Sequence, residues 1–147
     1  MNWQFLRFRD LGVDNLYDAL ALRCQVFIME QGAFLDTDGV DRHCWHLLGR
    51  DEAGVLQAYC RLVDPGVKYA EPSMGRVITS AETRGTGLGR ALVAEALKRH
   101  AATWPGQGNR ISAQARLENF YASFGYRRTA PDYIEDDIPH TDMLWLP

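Results

Sequence analysis

Apolar and polar residues alternate from Trp3 to Phe8, which predicts a first strand. The period then changes. In LYDALALRCQVFIMEQ, Leu16, Leu20 and Val26 or Phe27 fall near one face of a helix that Asp14 can cap and Gly32 can end. A polar loop, DTDGVDR, follows, and then WHLLGR and VLQAYCRLV flank DEAG, a hairpin signal with glycine at the turn. MGRVITS reads as a short strand leading into a second helix. That helix carries Leu88, Leu92 and Ala96 at helical spacing and Lys98, Arg99 and His100 at the end where the dipole favours them. WPGQGN interrupts the pattern. RISAQAR alternates as a strand, LENFYASFGY is a short helix ending at Gly125, and DMLWLP is a last strand. The order predicts one α/β domain over residues 1–147 with a mixed sheet, its ligand expected at the central strand–loop–helix.

Composition narrows the classes. The 147 residues are 46% hydrophobic with a net charge of -3, enough to bury a core and too little positive charge for a nucleic-acid partner. No apolar run is long enough to span a membrane, and the first residues lack a signal-peptide core. Cys24, Cys44 and Cys60 are odd in number and form no CxxC pair, so reduced thiols and a cytoplasmic setting are expected. A catalytic thiol at Cys24 or Cys60 is the alternative to three small hydrophobes. The acids of DTDGVD echo a calcium loop without its closing glutamate, and His43, Cys44 and His46 lack a second zinc ligand pair. No metal is expected. The acids of DTDGVD and EDD either border a cleft, where they would attract amines, or solvate loops. The four tryptophans read as core.

The chemistry lies in TRGTGLGRALVAEALKRH. Gly85, Gly87 and Gly89 alternate into a helix start, with Arg84 and Arg90 on either side. This spacing is neither GxGxxG nor a Walker loop, because Arg90 and Ala91 stand where those motifs need other residues. What it offers is backbone. Glycines leave amides uncovered, and successive N–H groups at a helix N-terminus bind anions. The alternative is a turn that binds nothing.

Arg84-x-x-Gly87-x-Gly89 resembles the acetyl-CoA pyrophosphate loop of the GNAT superfamily of N-acetyltransferases. LRCQVFIMEQ, DTDGVD, GRVITS, AQARLENFYASFGY and YIEDDIPHTDM, taken in order, resemble its ElaA-like subfamily. The resemblance implies a mixed, mostly antiparallel sheet flanked by helices and splayed between its fourth and fifth strands. It also implies acetyl-CoA as co-substrate and a small-molecule or protein amine as acceptor, with a homodimer as a further expectation. Loop residues Arg84, Gly85, Thr86, Gly87, Leu88, Gly89 and Arg90 would hold the diphosphate, with Val77, Ile78 and Thr79 along the pantetheine arm and Asn119 touching the coenzyme. Tyr121 would protonate the leaving sulfur, although it also reads as a core aromatic beside Phe120 and Phe124. Glu30, by the same resemblance, and His140, which titrates near neutral pH and follows Pro139 in an expected loop, are the candidate bases. A CoA-binding sensor without turnover is the rival reading.

Overall fold

The run LQAYCRLV is buried at every position, as befits a strand covered on both faces. The computed structural model describes residues 1–28 and 35–147. Glu30 and Gly32, and with them the expected end of the first helix, lie outside the described residues. Strands β1 (Asn2–Arg7), β2 (Cys44–Arg50), β3 (Leu56–Val63) and β4 (Ser73–Thr79) form an antiparallel sheet in that order. In a second sheet β8 (Ile138–Trp145) lies between β5 (Asn109–Gln114) and β6 (Arg127–Arg128), and β7 (Tyr133–Glu135) also pairs with β8.

Helix α1 (Gly12–Arg23) covers one face, packing Ala19 and Leu22 with Leu48, Tyr59 and Ile78. Helix α2 (Leu88–Thr103) covers the other, where Leu92, Val93 and Ala96 meet Leu47, Cys60 and Leu62. The two-residue period of β3 therefore sends Ala58, Cys60 and Leu62 to α2, and Tyr59 and Arg61 to the α1 side. A short α3 (Glu118–Ala122) follows β5.

Several expectations need correction. Asp14 lies inside the first turn of α1 rather than capping it, and α1 widens into a π-helical turn at Cys24–Ile28. Only five residues of LENFYASFGY are α-helical, after a tighter turn at Ala115–Leu117. His140 is on strand β8, not in a loop. Pro139 pairs opposite Ile134 near the start of β8, a place where a strand tolerates a missing N–H.

Strands β4 and β5 meet only where they begin. Arg110 N–H donates to Pro72 O (3.0 Å), and Met74 N–H donates to the buried Asn109 Oδ1 (3.1 Å). The same oxygen accepts from the Tyr126 hydroxyl (2.8 Å), while Asn109 Nδ2–H points at His100 Nδ1 (3.3 Å). His100 Nε2–H in turn donates to Gln107 O (2.9 Å), so every polar atom of this clasp is paired in one consistent tautomer. Past the clasp no ladder joins the two strands among the described residues, and they diverge.

Replacing Asn109 leaves a buried N–H, a hydroxyl and an imidazole nitrogen without partners. Asn109→Leu is expected to cost roughly 2–4 kcal/mol in urea unfolding, and Tyr126→Phe only about 1 kcal/mol. A cost under about 1 kcal/mol for Asn109→Leu would place the closure of the sheets elsewhere.

Candidate active site

The glycine loop joins β4 to α2. Gly85 and Gly87 have φ of +79° and +86°, the left-handed region in which a side chain is strained, and no atom lies within 4 Å of where a Cβ would stand at Gly85, Gly87 or Gly89. Arg84 and Thr86 spend their N–H groups on Ala81 O and Thr83 O, and Ala91 bonds Gly87 O. The N–H groups of Gly85, Gly87, Leu88, Gly89 and Arg90 have no acceptor among the described residues. They gather at the start of a 16-residue helix, whose dipole adds to their field. The Arg90 side chain donates to Ser123 Oγ (3.1 Å) and lies 4.8 Å from the Phe124 ring centre, which ties this turn to the chain just past α3.

The splay opens a cleft of about 710 Å³. Val77, Ile111, Ala113, Leu117 and Tyr121 line its inner slot. Tyr121 is 7% exposed, held edge-on to Phe120 and Tyr126 with ring centres 5.1 and 5.7 Å away. Its hydroxyl makes no hydrogen bond with a described residue, and burial pushes its pKa up, so the phenol keeps its proton at neutral pH. The ring of Tyr121 thus packs in the core while the residue also lines the cleft. Ile78 turns into the α1-side core, and Thr79 follows it at the end of β4. Asn119 is exposed on α3 and does not line the cleft. His140 does. Its Nδ1–H donates to Ile138 O (2.8 Å), which leaves the neutral ring's lone pair on Nε2, 3.6 Å from Glu135. The proposed base Glu30 lies outside the described residues.

A feature absent from the sequence reading shapes the slot. Tyr59 pairs with Ile78 and Arg61 with Gly75, so Arg76 and Val77 together oppose Cys60. This bulge bends β4, and Arg76 sits in it at φ +49°. Ion pairs hold it there: Arg76 Nε donates to Asp36 (2.8 Å), which also accepts from Arg23 (2.9 Å). Asp41 accepts from Arg23 and Arg61 (2.8 and 2.9 Å), and Asp38 accepts from Arg61 (2.7 Å). The acids of DTDGVD thus do not simply solvate a loop: they neutralise three arginines, and Asp38, Arg61 and Arg76 of this network line the cleft. A charge inside the apolar run AYCRLV was the available signal for such a partner.

The thiols are not placed for catalysis. Cys60 is fully buried, which pushes its pKa up, and Cys44 is pushed up to about 12, chiefly by burial. Cys24 is exposed but does not line the cleft. All four tryptophans pack against the α2-side core.

Residues 50–146 match the acetyltransferase (GNAT) domain family. The chain belongs to that family. ElaA of Escherichia coli K12 is 38% identical over 148 residues, covering 97% of this chain and 95% of ElaA, and the E. coli ElaA crystal structure superposes with a TM-score of 0.91 over 98% of both chains. A Synechocystis protein is 42% identical over 146 residues, 99% of this chain and 95% of that one. The crystal structure of an acyl-CoA N-acyltransferase from Pseudomonas aeruginosa, 35% identical, gives a TM-score of 0.93 over 99% of both chains. The expected GNAT architecture, splayed sheet included, is therefore the observed one.

The buried charges set a pH dependence. Burial alone would raise the Asp41 carboxyl, but Arg23 and Arg61 outweigh it and hold its pKa below the ordinary value. Burial lowers the pKa of His46, whose Nδ1 accepts from the Tyr59 hydroxyl (2.7 Å) and whose Nε2–H donates to Asp41 O (2.9 Å). A group whose folded pKa is depressed stabilises the fold above its unfolded value, about 6.5 for histidine and about 4 for aspartate, and loses that contribution as pH falls. Urea midpoints are expected to fall from about pH 7.5 to about pH 5.5, and again below about pH 4. A flat profile between the first two would contradict a buried neutral His46.

Proposed function

We propose that the chain moves an acetyl group from acetyl-CoA to a primary amine by direct attack, with both reactants bound. The observation that carries this reading is the set of N–H groups of Gly85, Gly87, Leu88, Gly89 and Arg90 that have no acceptor among the described residues, in a turn tied through Arg90 to the chain just past the helix that bears Tyr121. The loop fits a diphosphate: its amides converge, its glycines leave open space, and a helix dipole adds positive potential. Coenzyme A supplies the acetyl group as a thioester. Every other service falls to the chain.

Gly85, Thr86, Gly87, Leu88, Gly89 and Arg90 hold the diphosphate, with Arg84 beside them. Outward backbone groups of Val77, Ile78 and Thr79, left without a strand partner past the clasp, pair with the amide-bearing arm. An N–H of this edge can also stabilise charge growing on the acyl oxygen, a service often worth about 3–4 kcal/mol. Tyr121 gives its proton to the departing sulfur. His140 Nε2 is suited to take a proton from the incoming ammonium, and Glu30 is the other candidate. Asn119 stands outside the slot and takes at most a peripheral contact with the coenzyme. Buried Cys60 gives no reason to invoke an acyl-enzyme.

Gly87→Asp should abolish acetyl-CoA binding in calorimetry, since it sets a carboxylate and a strained backbone where phosphate must lie. Retained affinity would remove the loop from the site. Tyr121→Phe should lower kcat by about 10²–10⁴, with little change in acetyl-CoA affinity. An unchanged rate would return Tyr121 to a packing role. Thiol release measured over a panel of amines tests the activity itself: tight acetyl-CoA binding with no CoA released for any amine would favour a sensor.

A further inference from the structure

A two-residue turn between β7 and β8 borders the same cleft as Tyr121. Asp136 and Asp137 form that turn with φ of +50° and +63°, both left-handed, and with Glu135 they line the cleft. No arginine or lysine among the described residues pairs with these three carboxylates. The facing wall holds Arg61, Lys68 and Arg76. Arg61 and Arg76 are already committed to Asp36, Asp38 and Asp41. Among the described cleft residues, Lys68 alone is left to oppose Glu135, Asp136 and Asp137, an excess of two negative charges at neutral pH.

The same cleft is marked independently by Tyr121, nine-tenths buried, with a hydroxyl that has no partner among the described residues. We infer that the acceptor is an amine bearing a second positive charge, which the Glu135–Asp137 turn holds while the reacting amine lies at Tyr121. This rests on the transferase reading above. An amino acid would satisfy Lys68 with its carboxylate but would leave three acids facing one ammonium. A dication matches the excess. The acids draw a second positive charge toward the cleft, so that charge also steers the acceptor to the site.

The test is calorimetric binding to the protein saturated with coenzyme A, using putrescine, hexamethylenediamine, butylamine and γ-aminobutyrate. At least one diamine should bind about tenfold tighter than butylamine at low salt, and that preference should shrink as salt screens it. In Asp136→Asn/Asp137→Asn the preference should collapse toward one. Asparagine accepts left-handed backbone, so the turn keeps its shape, and the salt series on the unaltered protein needs no variant at all. Equal affinity for butylamine, tightest binding by γ-aminobutyrate, or a preference that survives in the double variant overturns the inference. CoA release with acetyl-CoA separates the two readings. A diamine preference in binding with no release from any amine sinks the transferase and leaves the dication site, whereas equal release and equal binding for all the amines sinks only the dication site.

Discussion

One clasp makes the rest of the structure possible. Asn109 fastens the start of β4 to the start of β5, and beyond it the two strands part. A continuous sheet would fill that space with its own hydrogen bonds and leave neither a slot nor an unpaired strand edge. The clasp is buried and its polar atoms are paired, so the opening rests on a rigid corner rather than on a loose end.

Two kinds of burial then share the work. On the α2 side the packing is apolar, and Tyr121 and Tyr126 stand edge-on within it. On the α1 side, three arginines and three aspartates are interlocked, with Asp38, Arg61 and Arg76 lining the cleft. Such a network is a poor source of net stability, because desolvation offsets most of the attraction. Its value is geometric. It holds Arg76 in a left-handed conformation at the bulge, and so fixes which way Val77 faces.

Much of this was legible in the residues. Alternation and helical spacing place β1 to β5 and both long helices, because each buries a continuous stripe. The glycine spacing marks the turn before α2 whose amides have no acceptor among the described residues, because residues without a Cβ leave amides uncovered. The clasp left no such trace, since one asparagine in WPGQGNR looks like turn material until its partners come near. The bulge was equally hidden: GRVITS shows no extra residue until it is aligned against β3. The β7–β8 hairpin was missed because two aspartates occupy a turn for which glycine or asparagine is the usual signal. Its missing signal also put His140 in a loop.

The Arg90 side chain has a mechanical meaning as well. By bonding Ser123 and stacking on Phe124, it braces the glycine turn against the short helix that carries Tyr121. If the coenzyme binds as proposed, its anionic end is gripped at a fixed length from the phenol, and only a molecule of matching reach would bring its reactive end to the tyrosine, so that the protein would work as a ruler rather than as two independent grips.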